Sequence, residues 1–209
     1  IVREDAAAVL GVPVGIPVFH APGDAGATTI GAGSGEIGQA YGYLGTSGWA
    51  GFAAAEPGSP GRGVFTLAHP RPGQYIQVAP LLTAGGNLEW VRDLFDYSEY
   101  AAAIDAALDR PVTQIVYLPY LNGERAPFID PLARAAFIGM SAGTHRADLV
   151  RAVLEGVAFA YRHVLDTLMT EALSQLIMTG GGTRSGKWCQ LFADVLGVQI
   201  VVIEDAENA

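Results

Sequence analysis

A chain of 209 residues, half of them hydrophobic, can bury a sizeable core and is not disordered by composition. Twelve basic residues against 21 acidic ones leave a formal charge of -9, with no Lys or Arg cluster that could track a phosphate backbone, so nucleic acid is excluded as an expected partner. No apolar run reaches the roughly eighteen residues of a membrane span, no signal-peptide pattern opens the chain, and the single cysteine, Cys189, cannot form an internal disulfide. The expectation is a cytoplasmic protein with no membrane partner.

Residues 1–10 carry a helical pattern that Gly11 stops. It begins without an N-cap, and the last strand is followed only by a short polar tail, so the sequence reads as a piece of a longer chain. Residues 16–19 read as a buried strand, and residues 25–30 as a small-residue helical turn beginning after Asp24. Residues 39–44 and 49–53 are strand-like runs separated by Gly45-Thr46-Ser47-Gly48, a hairpin signal. Two more strands follow at 64–68 and 75–78, which makes this half an antiparallel meander.

The period then changes. Leu81, Leu82, Leu88, Val91, Leu94 and Phe95 recur at helical spacing across residues 80–95, interrupted by Gly85-Gly86. Glycines inside a helix cost about 1 kcal/mol each relative to Ala, so the pair asks for a reason, such as close approach of a ligand. Residues 97–108 predict a second helix, 115–118 a short strand, 119–131 a loop and 137–140 a strand. The longest periodic stretch is 146–169, with Leu149, Val153, Val157, Tyr161, Val164 and Leu168 on one stripe. A strand at 176–178 runs into Gly180-Gly181-Gly182, a helix covers 185–196, and a strand at 199–203 closes the pattern. Meandering strands followed by alternating helices and strands is the order of an α/β, ribonuclease H-like (actin-like ATPase) domain with a mixed sheet and flanking helices.

Several residue patterns bear on chemistry. Gly33, Gly35 and Gly38 spell G-x-G-x-x-G, but a dinucleotide fingerprint follows a strand and opens a helix, whereas this string follows a helix and leads into a strand. His20, His69, His145 and His163 lack ligand spacing, so no structural zinc is expected. Cys189 reads as a buried small hydrophobe. Glu124, Arg125 and Asp130 lie in one loop, either facing another domain or solvated.

From residue 119 onward the chain resembles the FGGY carbohydrate kinase family. Ala135-Ala136-Phe137-Ile138-Gly139-Met140, followed after a spacer by Asp148-Leu149-Val150-Arg151-Ala152-Val153-Leu154-Glu155, matches that family's C-terminal signature, and PYLNGERAPFIDP and GGGTRSGKWCQLFADVLG resemble its xylulokinase and gluconokinase branches. GNLEW at 86–90, YLGTSG at 43–48 and PGDAGA at 22–27 follow the family's order. The resemblance implies that residues 21–209 are the C-terminal nucleotide-binding domain and that residues 1–20 belong to the N-terminal sugar-binding domain or its junction. It also implies ATP and Mg2+, a sugar acceptor, and room for a homodimer.

By the same resemblance Asp24 matches the catalytic base, Thr46 the second phosphate-binding hairpin, Gly85 a main-chain phosphate contact with Glu89 as polar neighbour, and Gly181 with Ser185 the adenosine segment. Each has a structural alternative: Asp24 as a helix N-cap, Thr46 in a plain small-residue turn, Gly85 in helix–sheet packing, Gly181 in a tight turn capped by Ser185. The expected function is ATP-dependent transfer of a phosphoryl group to a sugar, with a pentulose such as xylulose favoured. The alternative is a non-catalytic sugar- or nucleotide-sensing module on the same fold.

Overall fold

The computed structural model describes residues 1–18, 23–58, 61–169 and 172–203. Helix α1 (Glu4–Leu10) ends at Gly11, which takes the left-handed conformation that glycine allows, with φ of 67°. The strand expected at 16–19 is not formed at residues 16–18. They are exposed, and among the described residues Ile16 is tied only to the start of the chain, its carbonyl accepting the Val2 N–H at 2.8 Å. An apolar run with no sheet beside it has no ladder to join. Phe19 and His20 lie outside the described residues.

Helix α2 (Asp24–Gly31) leads into β1 (Ala40–Leu44), β2 (Gly48–Ala54), β3 (Phe65–Ala68) and β4 (Tyr75–Leu81). After helices α3 (Gly85–Leu94) and α4 (Tyr100–Leu108) come β5 (Val116–Leu118) and β6 (Ala136–Ile138), then the long α5 (Arg146–Leu168). Strand β7 (Gln175–Thr179), a 3-10 turn (Gly181–Arg184), α6 (Gly186–Leu196) and β8 (Gln199–Val202) complete the order.

Among the described residues the main sheet runs β3-β4-β2-β1-β7-β8, and β5 pairs with β6 separately. The first four strands are antiparallel, as expected, while β7 and β8 run parallel to β1. The meander departs from simple succession in one place, because β4 and not β3 neighbours β2. The side chains of β3 are mostly exposed, which suits an edge, whereas β4 alternates half-buried and buried and fills the interior position.

Alternation along β1 and β2 assigns the two faces of the sheet. A Cβ added at Gly42 would lie 3.5 Å from the Tyr161 ring of α5, so Ala40, Gly42 and Leu44 face that helix. Tyr41 faces the other way and meets Thr29 of α2. The α5 stripe is buried at Val153, Val157, Tyr161, Val164 and Leu168, with Leu149 half-buried, and forms the centre of the core with Leu44, Ala50 and Leu81. The result is the mixed, helix-flanked sheet of a ribonuclease H-like (actin-like ATPase) domain.

The helix expected over 80–95 is shorter than its periodicity suggests. Strand β4 continues to Leu81 and α3 begins at Gly85, so Leu81 and Leu82 are not helical and the glycine pair starts the helix. Residues 33–38 connect α2 to β1, with Gly38 donating its N–H to Ala53 at 3.0 Å, which agrees with setting the glycine string aside as a cofactor motif.

Candidate functional site

The turn between β1 and β2 is the centre of the site. Leu44 pairs with Gly48 across the ladder, leaving residues 45–47 to reverse the chain, and Gly45 donates its N–H to the Ser47 carbonyl at 3.0 Å. The start of α3 docks onto this turn through backbone bonds. Ala84 and Gly86 donate to the Thr46 carbonyl at 2.9 and 3.0 Å, and Gly85 donates to the Gly45 carbonyl at 2.7 Å. A Cβ at Gly85 would stand 2.6 Å from that same oxygen, so only glycine permits the approach.

Two consequences follow. The N–H of Gly85 is committed to the turn, so what this residue can offer a ligand is bare backbone surface and not a donor. The Gly45 and Thr46 carbonyls accept from the start of α3 and the Ser47 carbonyl accepts from Gly45, and among the described residues the N–H groups and hydroxyls of Thr46 and Ser47 make no hydrogen bond. Four donors at the tip of a glycine-flanked turn form an anion-accepting edge. Tyr161 supports the turn from α5 by donating its hydroxyl to the Tyr43 carbonyl, and it packs where a side chain on Gly48 would stand.

One side of the turn opens into a cavity of about 400 Å³, and Thr46, Gly85, Glu89, Gly181 and Ser185 all line it. Leu88, Tyr100, Ile104 and Trp188 supply apolar wall. The three glycines after β7 have separate tasks. Gly180 has φ of 97° and passes within 2.7 Å, by its added Cβ, of the Leu44 carbonyl, while Gly182 packs on the Leu44 side chain. Gly181 has no atom within 4 Å of an added Cβ, so it borders open space. The Ser185 Oγ accepts the Trp188 N–H at 3.2 Å and caps α6, so Ser185 caps a helix and lines the cavity at once. Glu89 is exposed at the rim. Asp105, also in the wall, pairs with Lys187 at 2.8 Å, and the two Lys187 contacts, to Asp105 and Asp109, hold α4 against α6.

Asp24 lies elsewhere. It lines a second cavity of about 440 Å³ with Ser47, Gly48, Trp49, Leu82 and Arg125, on the far side of the same turn. It is not the N-cap of α2: Gly23 takes that position, and Asp24 is the first helical residue, its Oδ1 accepting the Ala25 N–H at 2.7 Å. The carboxylate is exposed toward the cavity and held by its own helix N-terminus.

The loop charges divide. Glu124 is 2% exposed, so it is no solvated charge. Its Oε1 accepts N–H groups from Leu82 at 3.0 Å and Arg125 at 2.7 Å, which pins two residues of the second cavity to each other. Burial pushes its pKa up against the lowering effect of those hydrogen bonds. Arg125 is exposed, lies 5.7 Å above the Phe65 ring, and has no carboxylate partner among the described residues. Asp130 folds back on its own loop, accepting the Leu132 and Ala133 N–H groups. Trp49 and Tyr100 line the two cavities without any motif in the sequence to mark them; the position of Trp49 just after the turn was the available signal.

Among the described residues no group of three His, Cys, Asp or Glu could hold a metal ion. No helix there is long and apolar enough to cross a membrane.

Residues 40–209 match the FGGY family of carbohydrate kinases, C-terminal domain. The chain is similar to the xylulose kinase of Escherichia coli (strain K12), 35% identical over 191 residues that cover 88% of this chain and 39% of that protein. Among solved structures, a "xyloylose kinase" from Brucella ovis superposes with a TM-score of 0.83 at 32% identity, over 97% of this chain and 43% of that one. A xylulose kinase from Rhodospirillum rubrum superposes at 0.80 with 33% identity, covering 97% and 42%. The chain thus spans less than half the length of these relatives. By the extent of these matches and the fold they share, the chain belongs to the FGGY family of carbohydrate kinases, where it corresponds to the C-terminal domain.

Proposed function

We propose that this chain is the nucleotide-binding part of an ATP-dependent sugar kinase, with residues 21–209 as that domain and residues 1–20 as its junction with a sugar-binding domain. The observation that carries the reading is the turn at 45–48, whose Gly45, Thr46 and Ser47 carbonyls are taken, whose Thr46 and Ser47 donors make no hydrogen bond among the described residues, and which stands between two cavities. A ligand reaching both sides of such a turn has its anionic part at the turn and its remaining groups in the pockets.

The first cavity suits ATP. Its volume falls in the range of small-molecule sites, its apolar wall offers a purine face, and Gly181 lets a ligand lie against backbone. In this reading Thr46 and Ser47 hold the terminal phosphates, Gly85 gives them clearance, and Glu89 and Ser185 meet the nucleoside. Mg2+ would come with the phosphates of ATP, not on a carboxylate cluster of the described residues, and would supply charge neutralisation there. Asp24 takes the proton of a sugar hydroxyl as that oxygen bonds to the γ-phosphorus. The bond from γ-phosphorus to the oxygen shared with the β-phosphate breaks, and ADP keeps that electron pair. Because the transition state is loose, placement of the acceptor counts for more than early proton removal. The Arg125 guanidinium on the same cavity wall, with no carboxylate partner among the described residues, offers donors to substrate oxygens.

Similarity to xylulose kinases favours a pentulose such as xylulose as acceptor, in the cytoplasm where the expected redox state and ATP supply agree. The test is to assay the protein that carries this chain with MgATP against pentuloses, polyols and aldonates, following ADP release. Turnover that depends on one pentulose is expected; failure on every acceptor overturns the reading.

A further inference from the structure

Helix α2 carries Asp24, is eight residues long and has no side-chain cap. Among the described residues its hydrogen bonds to the sheet converge on one atom, the hydroxyl of Tyr41. That hydroxyl donates to the Ala25 carbonyl at 3.0 Å and accepts the indole N–H of Trp49 at 2.8 Å, with the Thr29 Oγ1 also 3.0 Å away. Tyr41 is fully buried, and its ring occupies the space across the ladder where Gly51 has no side chain; a Cβ there would come within 2.8 Å. Trp49 follows the turn at 45–48 directly and stacks on Tyr43 with ring centroids 4.1 Å apart. Two hydrogen bonds therefore connect the strand that leaves the phosphate-side turn to the peptide next to Asp24.

We propose that Tyr41 is a positioning residue for phosphoryl transfer, its hydroxyl fixing where Asp24 stands relative to the turn. This rests on the kinase reading above. The first turn of α2 is Asp-Ala-Gly-Ala, and contacts made by Ala and Gly are small and nearly unchanged by a slide along the sheet. Hydrogen bonds are directional, so they supply the register that packing there does not. Desolvation raises the Tyr41 pKa, and the negative charge of Asp24 adds to it, so the hydroxyl keeps its proton and remains a donor at neutral pH. Without it the Ala25 carbonyl and Trp49 N–H lose a shared partner, and displacement of a reacting group by about 1 Å costs on the order of a hundredfold in rate.

The test is a double-mutant cycle in the protein that carries this chain, using Tyr41→Phe, Asp24→Asn and both together. Tyr41→Phe is expected to lower kcat by about ten- to a hundredfold, with the KM for ATP and nucleotide-analogue binding within about twofold. Because Tyr41 acts through Asp24, adding Tyr41→Phe to Asp24→Asn should change kcat by less than about threefold. Losses that multiply, an unchanged kcat in Tyr41→Phe, or loss of nucleotide affinity in step with kcat would each overturn the proposal. Should Tyr41→Phe not fold, Thr29→Val removes the other hydroxyl of the joint and must show the same lack of additivity with Asp24→Asn. A wild-type protein inactive on every sugar would sink the kinase reading itself; an active wild type with multiplying losses sinks only the role of Tyr41.

Discussion

The glycines after β7 separate what the fold needs from what a ligand needs. Gly180 has a positive φ and lies against the Leu44 backbone, so Gly180→Ala meets both strain and a clash. Gly181 meets neither, since its φ is ordinary for an L-residue and no atom stands within 4 Å. Gly181→Ala should leave the melting temperature within about 2 °C and raise the KM for ATP several-fold, whereas Gly180→Ala should lower the melting temperature by several degrees, in line with about 1–3 kcal/mol for a strained backbone. Thermal unfolding and steady-state kinetics on the two variants check this, and equal effects would remove Gly181 from the nucleotide site. Glycine identity at 180–182 was legible in the sequence as a turn; which of the three borders open space was not, because that depends on where Leu44 of a distant strand passes.

At the scale of elements, the most recognisable stretch of the sequence serves packing. Asp148 accepts the His145 N–H at 2.8 Å at the start of α5 and pairs with Arg110 after α4. Arg151 pairs with Glu155 at 2.8 Å and donates to the Arg110 carbonyl at 2.6 Å, closing the end of α4. The Arg110 hydrogen bond, then the His145 N–H, hold the Asp148 pKa below the usual carboxylate range. That stabilising contribution is present above the unfolded-state pKa and is lost as pH falls through the folded one. Glu124 has the opposite sign. Its raised pKa means the folded state binds the proton more tightly than the unfolded chain does, so its contribution falls as pH rises from the ordinary glutamate range through the folded pKa. Glu124→Gln keeps an acceptor for the Leu82 and Arg125 N–H groups and should flatten the melting temperature against pH in that window. Glu124→Ala, which removes the acceptor of both part-buried N–H bonds, should cost roughly 1–3 kcal/mol. An unchanged pH profile in Glu124→Gln would contradict the assigned environment.

At the same scale, element boundaries differ in how far the sequence marks them. The hairpin at 45–48 and the long α5 were legible because turn chemistry and a 3.6-residue stripe are local properties. The start of α3 was not, since Leu81 and Leu82 fit a helical count while strand pairing with Gly48 holds Leu81 in β4. The apolar run at 16–18 looked like a strand because sequence shows hydrophobicity without showing whether a neighbouring edge exists.

For the whole molecule, the sheet brings β1, β2, α2, α3 and the β7–α6 turn to one region and leaves a cavity on each side of a single turn. The sequence resemblance named six residues, and five of them share one cavity while Asp24 stands in the other. The division itself could not be read from spacing, because it depends on the turn projecting between α2 and α3. The roles of Trp49 and Tyr41 are not legible in the sequence for the same reason: alternation gives a side chain a face, but the tertiary fold decides what that face meets. The acidic surface implied by the charge of -9 also leaves the free donors of Thr46 and Ser47 and the Arg125 guanidinium as local attractors for an anionic substrate.

The central claim is that nucleotide and acceptor occupy separate cavities joined at the turn, with Asp24 acting only on the acceptor side. The most direct measurement is Asp24→Asn in the protein that carries this chain, with nucleotide-analogue affinity and sugar-dependent ADP release followed in parallel. The account predicts a loss of about a hundredfold or more in kcat with nucleotide affinity within about twofold of wild type. Full turnover in Asp24→Asn, or a fall in nucleotide affinity that matches the fall in rate, would contradict it.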